Sequence, residues 1–342
     1  MILFAMGCSK QERGDDPDSD IVYLSIAEVN TDALAAQSGQ PASRVIVSGN
    51  QTVFTDGDVM GLFLFGDQYD TIHNRPVTLN YPAGKKWEIS GHEIALHTHQ
   101  AVATGYFPYS SQNTVKNVLL FPGLYDVATN DLVWKQDAVW NKNPEAKFIG
   151  MRHALTRVKF SIKKSAAATG GYPGAGKVTL VQVVDTTGTP ASEKVIFING
   201  KLDFTATPIA ATGLLAGGVM TNAEKTLSST TATLYDFLLL PVPGIKKSQI
   251  LLKITVDDKV VFGSIPVGGS YPDKWEAGTA YTYNVIVQNG QAQIVFGRAG
   301  VSSWTDGDDI LGELETSGPQ YDGGNVDDWT DKPWNDTQVD VK

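Results

Sequence analysis

Apolar and polar residues alternate with a period of two over many short segments of this chain, the pattern of β-strands with one face on a core. In the clearest segment, Tyr281, Tyr283, Val285 and Val287 alternate with residues that face the other side. Asn289-Gly290 follows as a strong hairpin signal, and residues 292–296 are predicted to return from that turn. Further strands are predicted at residues 21–29, 44–48, 59–65, 77–81, 93–98, 102–107, 118–121, 158–162, 178–184, 195–198, 202–204, 233–240, 250–256 and 260–265.

Turn residues separate the predicted strands. Asp56-Gly57-Asp58 is predicted to turn the chain into the strand at 59–65, and Asp257-Asp258 to join the strands on either side of it. Asn199-Gly200 predicts another hairpin. The polar residues 131–145 are predicted to link two halves of the chain. Regularly spaced short strands joined by turns favour an all-β fold of antiparallel sandwiches over βαβ units.

Composition agrees with this fold class and excludes one class of partner. The 342 residues suit two domains, and 34 Gly and 16 Pro are typical of strands joined by many turns. The formal charge of −10, with no cluster of Lys and Arg, argues against nucleic-acid binding. From residue 305 onward, eleven acids stand against two lysines, so this tail carries most of the net negative charge.

The single cysteine, Cys8, excludes a disulfide within the chain and a cysteine metal cluster. Residues 2–6 are apolar, Gly7 is small, and a polar stretch follows, as at the end of a lipoprotein signal. Cys8 is therefore predicted to carry lipid, and the signal is expected to start upstream of Met1. Acyl chains contribute about 0.8 kcal/mol per buried methylene, which would hold the protein on a membrane. An ordinary unmodified thiol is the alternative.

Two motifs with catalytic or metal-binding character are predicted to be structural. Gly171 to Lys177 has the glycine and lysine spacing of a phosphate-binding loop, but Val178 replaces the required Ser or Thr, and a strand follows instead of a helix. The segment is predicted to be a hairpin loop. His97 and His99 share a strand face without a carboxylate or cysteine partner at ligand spacing. The sequence therefore predicts no catalytic site, no metal and no cofactor, and the protein is not expected to be an enzyme.

The carboxy-terminal block resembles a known family. From Trp275 the chain reads Trp-x-x-Gly-x-x-Tyr-x-Tyr-x-Val-x-Val, followed by a hairpin and then Val-x-x-Trp-x-x-Gly from Val301. This is similar to the closing block of the fimbrillin superfamily, the Mfa-like pilus proteins of Bacteroidales. Three earlier phrases resemble the family in the same order: Gly57-Asp58 with residues 60–63, Tyr106-Phe107-Pro108-Tyr109, and residues 148–160.

The resemblance implies a domain organisation and a cellular role. It implies two tandem transthyretin-like antiparallel β-sandwich domains, expected at residues 21–147 and 148–312. Residues 1–7 would be the signal remnant, 8–20 a tether and 313–342 an acidic tail. The protein would be an outer membrane lipoprotein at the cell surface and a shaft, tip or anchor subunit of a pilus. Its expected partners are other fimbrial subunits, a maturation protease, the outer membrane through the lipid on Cys8, and a host or bacterial surface ligand.

The resemblance also implies a mode of assembly. In the family, a protease, Arg-specific in the best-known members, cuts after the first strand of the precursor, and a strand from the carboxy-terminal end of another subunit takes its place. Here residues 21–29 would be that strand, and Arg44 is the candidate cleavage site, with Arg13 as a second accessible arginine. Arg44 is equally consistent with an ordinary solvated arginine at the start of a strand.

The tail is the candidate donor segment. Its phrase Val326 to Asp331 repeats Val301 to Asp306, and Trp329 and Trp334 are the candidate apolar anchors. Its acidity and its glycines argue equally for a flexible, solvated end. A different class of function is also open, namely a surface lipoprotein that binds carbohydrate or another ligand. For this function the seven Trp and twelve Tyr, for example Trp134 and Trp140, would form stacking surfaces.

Overall fold

The strands of the chain follow one another without intervening helices in the part that the structure describes. The computed structural model describes residues 22–31, 46–48, 51–54, 56–66, 69, 74–80, 86–115, 118–121, 132–166, 171–186, 196–203, 210–215, 218–221, 224–289 and 294–303. The prediction of an all-β fold is confirmed. Nowhere in these ranges is there a helical segment that would span a bilayer.

In chain order the strands are β1 (Val22–Tyr23), β2 (Ser25–Thr31), β3 (Ile46–Ser48), β4 (Gln51–Val53), β5 (Val59–Phe65), β6 (Arg75–Asn80), β7 (Lys86–Ile89), β8 (Ala95–Leu96), β9 (Ala101–Phe107), β10 (Val118–Phe121), β11 (Val133–Val139), β12 (Glu145–His153), β13 (Thr156–Lys164), β14 (Lys177–Asp185), β15 (Phe197–Asp203), β16 (Ala210–Leu215), β17 (Gly218–Thr221), β18 (Lys225–Thr226), β19 (Thr233–Leu239), β20 (Ile250–Val256), β21 (Lys259–Ser264), β22 (Thr279–Val287) and β23 (Ile294–Ser303).

Seven strands of the first half are hydrogen-bonded in a closed circuit, in the order β11, β12, β2, β7, β6, β5, β9 and back to β11. Alternate side chains of these strands face inward, as the period of two requires. The inward residues form a first core that contains Leu62, Val77, Trp87 and Phe148.

The strands of the second half form two sheets that face each other. One sheet has the order β19, β13, β22, β23, and the other has the order β17, β14, β20, β21, with β18 paired to β14. A second core lies between them and includes Phe160, Ile254, Trp275 and Tyr283. Burial alternates residue by residue along β20, as expected for a strand with one face on this core.

The two halves also share backbone pairing and apolar packing. β10, from the first half, pairs antiparallel with β15, from the second, and β16 completes a three-stranded sheet. A third core joins residues of the first half, such as Phe63 and Leu119, to residues of the second half, such as Leu155, Leu202 and Leu238. β5 is buried on both faces because it contributes to both the first and the third core.

The predictions for residues 131–145 and for Asn199-Gly200 are wrong. Residues 131–145 were expected to link the halves, but seven of them form β11, which pairs with β9 without interruption from Val133 to Val139. Only the two valines at the ends of β11 are fully buried, so its sequence lacks the usual apolar alternation. Asn199-Gly200 lies inside the continuous strand β15 and forms no turn, because pairing with strands on both sides overrides the local turn preference.

Other predictions match the structure. β5, β10 and β20 have the predicted bounds. Asp257 and Asp258 both have positive φ, 46° and 61°, as a tight hairpin turn between β20 and β21 requires. The division at residues 147 and 148 stays a prediction; β12 crosses this position and pairs within the first-half circuit.

Candidate functional site

Residues 22–31 are called the amino-terminal strand here; they comprise β2, which lies within the first-half circuit, and β1, which pairs with β8 in a separate two-stranded sheet. Leu24 and Ile26 are 6% and 7% exposed and belong to the first core, and the half-buried Val29 packs against it. Trp87, Ile94, Leu96 and Phe148 belong to the same core. Once the strand is removed, its place would be a groove between β12 on one side and β7 with β8 on the other.

The pairing of this strand with β12 is parallel and interrupted twice. Ala146 pairs with Ile26 and Lys147 with Glu28, so Ala27 is an extra residue in the amino-terminal strand. Further along, Phe148 pairs with Val29 and Met151 with Thr31, so β12 contains one extra residue there. Gly150, in this second irregularity, has a φ of 69°, and the neighbouring Ile149 is 45% exposed.

On its other side the strand has little regular pairing. On this side β1 pairs with β8 at two positions, the Leu24 N–H donates to the Ile94 carbonyl at 2.9 Å, and in the described residues Ile26 with Trp87 is the register pair between β2 and β7. By contrast, β9 pairs without a register shift with both β5 and β11. The amino-terminal strand therefore combines buried apolar side chains with weakly continuous backbone pairing.

The Tyr106-Phe107-Pro108-Tyr109 segment packs behind this site. A Cβ on Gly61 would overlap the Tyr106 ring, and one on Gly105 would overlap Met60 and the Phe148 ring. The Tyr106 hydroxyl donates to Asn74 Oδ1 at 2.5 Å. These glycines let aromatic rings cross β5 and β9 closely, and they help to position Phe148 in the first core.

The block that begins at Trp275 is structural. Trp275 Nε1 donates to the Tyr283 hydroxyl at 3.0 Å, and both side chains are completely buried. Burial raises the pKa of Tyr283 because it disfavours the phenolate. Gly278 has a φ of 67°, and its N–H donates to the Leu155 carbonyl at 2.8 Å, which fixes the start of β22 beside β13.

The glycine-rich loop before β14 is bound to a carboxylate of the same chain. Asp257 accepts hydrogen bonds from the N–H groups of Gly176 at 2.8 Å and Lys177 at 2.9 Å. The Gly176 bond, together with the Lys177 and Tyr172 bonds and the charge of Lys164, lowers the pKa of Asp257 below its ordinary value. The loop precedes β14, which lies in a different sheet from β13, so the prediction of a hairpin loop is wrong. Its amides serve an internal anion.

The histidines and tryptophans considered in the sequence do not come together in a metal or ligand site within the described residues. His92, His97 and His99 are exposed, and across the described ranges no three His, Cys, Asp or Glu side chains form a group able to hold a metal ion. Trp134 is half-buried against the third core, and Lys142 Nζ lies 5.6 Å from the centre of the Trp140 ring. Both tryptophan side chains are therefore half-buried, and the Lys142 ammonium lies over the Trp140 ring.

Four residues predicted to be functional lie outside the described residues: Cys8, Arg44, Trp329 and Trp334.

The sequence predicted the amino-terminal strand but not its irregular pairing with β12. Gly150 inside an otherwise apolar strand pattern was the available signal, since a glycine there often marks a bulge.

Comparisons with known proteins agree with the strand architecture. A family model described as fimbrillin-like matches residues 43–304. Two similar solved structures are candidate cell adhesion proteins. The one from Bacteroides uniformis is 15% identical with a TM-score of 0.57, and the match covers 84% of this chain and 100% of that chain. The one from Bacteroides ovatus is 16% identical with a TM-score of 0.53, covering 84% and 98%. No curated protein matches the chain.

Proposed function

The chain belongs to the fimbrillin-like family, and from this membership we propose that it is a structural subunit of a cell-surface fimbria. Polymerisation proceeds by exchange of the amino-terminal strand for a strand of another subunit. The observation that carries the proposal is the state of this strand, which fills the first core with Leu24 and Ile26 but pairs irregularly with β12 and, in the described residues, at one register position with β7.

Proteolysis is the proposed trigger. A cut after Arg44 separates residues 22–31 from β3 and all later strands, so only noncovalent contacts retain the amino-terminal strand. Its departure opens a groove with unpaired backbone groups on β12 and with apolar side chains such as Trp87 and Phe148. An extended segment of another subunit restores both kinds of contact, and strand addition of this type supports stable association.

The acidic tail supplies the donor segment in this proposal, and lipid on Cys8 holds the precursor at the outer membrane. Cleavage after Arg44 removes the lipidated cysteine together with the amino-terminal strand. A subunit that keeps its lipid would serve as an anchor, and one that loses it would enter the shaft or the tip.

Digestion of the unmodified chain and of two variants with an Arg-specific protease tests this function. The full chain, Arg44→Ala and Arg13→Ala are digested, and the products are analysed by mass spectrometry and by electrophoresis in detergent without boiling. The full chain and Arg13→Ala are expected to start at Val45 and to form ladders, whereas Arg44→Ala stays monomeric. A wild-type product that starts at Val45 and remains monomeric would exclude polymerisation by this route.

Material from the cell surface tests the anchoring. Mass spectrometry of its mature amino terminus is expected to find two forms, a precursor with acyl chains on Cys8 and a processed chain that starts at Val45. An unmodified Cys8 in membrane-bound precursor would contradict the lipid anchor without affecting the strand-exchange proposal.

A further inference from the structure

We propose that the groove selects a replacement strand with unbroken alternation, which residues 337–341 of a second copy supply, and that Ala27 makes the resident strand replaceable. This inference rests on the proposed function and names the partner segment for the same site. It requires no proteins other than two copies of this chain and the protease.

The resident strand does not follow a regular strand period. Leu24 and Ile26 are two residues apart and buried, but the next core-facing residue is Val29, three residues later. Ala27 and Glu28, between them, are both exposed. The register with β12 shows the cause, because Ala27 is the residue that has no partner.

The facing strand does not need this extra residue. Inward residues Ala146 and Phe148 on β12 are two apart, as in a regular strand. If Ala27 were absent, the second residue after Ile26 would stand opposite Phe148, where Val29 stands now. A strand with core-facing residues at positions 1, 3 and 5 would therefore pair with this part of β12 without a bulge.

The end of the chain has that pattern. Thr337, Val339 and Val341 are β-branched residues at alternate positions, with Gln338 and Asp340 between them. Such residues favour strands with one buried face. Trp329 and Trp334 are five residues apart, so a regular strand would place them on opposite faces, and one groove could not bury both.

Charge fits the same register. With the donor in the direction of the resident strand and Val339 in the place of Ile26, Asp340 stands opposite Lys147 and Val341 opposite Phe148. Lys147 is exposed at the rim of the groove. Opposite charges on directly facing positions of neighbouring strands stabilise the pair.

The first test removes the extra residue. The full chain, an Ala27 deletion and a Gly39 deletion are cleaved after Arg44, and the rates of ladder formation are compared. Deletion of Ala27 is expected to slow exchange on the order of tenfold, since one or two regained hydrogen bonds hold the resident strand. The Gly39 deletion shortens the chain equally outside the paired segment and should match wild type. An Ala27 deletion that polymerises at the wild-type rate would overturn the proposal.

The second test addresses the donor in trans and remains informative if the deletion variant does not fold. A fluorescent peptide of residues 335–342 is added to wild-type protein cleaved after Arg44, and binding is followed by anisotropy. A second peptide has one alanine inserted between Asp340 and Val341, which changes the 1, 3, 5 spacing to 1, 3, 6. The native peptide is expected to bind at least tenfold more tightly; equal binding, or no binding by either peptide, contradicts the selection.

The third test reverses charges. Lys147→Glu is expected to weaken native peptide binding about two- to fivefold, and a peptide with Asp340→Lys should restore it. An effect of Lys147→Glu that the reversed peptide does not rescue would place the donor in another register. If cleaved wild-type protein forms no ladders but binds the native peptide selectively, the proposal of polymerisation fails and the proposed selectivity of the groove stands.

Discussion

The buried ion pair of Arg157 and Asp236 in the second half joins two residues that are far apart in the sequence. Arg157 is 6% exposed, and its guanidinium is held by Asp236, with Nη2 to Oδ2 at 2.6 Å and Nε to Oδ2 at 2.9 Å. In the sequence, Arg157 belongs to the polar face of an alternating strand and gives no sign of burial. Pairing of β13 with β19 brings Asp236 to it, which local pattern cannot predict.

Removal of one partner of this ion pair is expected to be costly. Asp236→Ala removes the carboxylate that holds the buried guanidinium and should lower the free energy of unfolding by about 3 to 5 kcal/mol. Urea titration measures the change. The double variant Arg157→Leu with Asp236→Leu should lose less than Asp236→Ala alone; an equal or larger loss would argue against charge burial as the cause.

The Asp257 carboxylate should make stability depend on pH in the acid range. Its pKa in the folded protein lies below its ordinary value, so its contribution is complete above the unfolded pKa of about 3.8 and is lost as pH falls through the lower folded value. The difference in unfolding midpoint between wild type and Asp257→Asn should be constant from pH 5 to 7 and should shrink below pH 4. A difference unchanged at pH 3 would contradict this assignment.

At the scale of elements, predictability depended on where the stabilising contacts lie. β20 and β22 were predicted because alternating apolar residues face one core. β11 and β15 were not: β11 is held chiefly by backbone pairing and has few buried side chains, and β15 continues through a turn-like Asn199-Gly200 because strands flank it. The amino-terminal strand was predicted from its apolar residues, but its extra residue Ala27 is apparent only from the register with β12.

The sheet that joins the halves depends on an apolar pair. Leu119 and Leu202 are register partners in β10 and β15, and both are buried in the third core. Leu202→Ala is expected to lower the free energy of unfolding by about 2 to 5 kcal/mol through lost burial and a cavity. Lys201→Ala, at the exposed neighbouring position, is the matched control and should change it by less than about 0.5 kcal/mol.

At the scale of the molecule, the fold class and the family were predictable, but the closure of the first-half strands was not. A period of two marks strands and their buried faces, but it does not specify which strands pair or whether the sheet closes. The third core and the pairing of β10 with β15 depend on residues more than seventy positions apart, such as Leu119 and Leu202.

The shared third core predicts that the described halves unfold together. Trp87 lies in the first core and Trp275 in the second, so each reports on one half. Fluorescence differences between wild type and the Trp87→Phe and Trp275→Phe variants should each follow a single urea transition. Each fluorescence midpoint is compared with the unfolding midpoint of the same variant measured by circular dichroism, and after this correction the two fluorescence transitions should coincide. Two separated transitions would indicate halves that unfold independently.

The pairing of β10 with β15 has a mechanical consequence for the proposed fibre. Tension applied between a groove in the first half and a donor segment that follows β23 must cross from one half to the other. This load is shared among the covalent connection after β12, the ladder between β10 and β15, and the interlocked side chains of the third core. Because several of these contacts must break together, the two halves should resist being pulled apart better than the single covalent connection alone would allow.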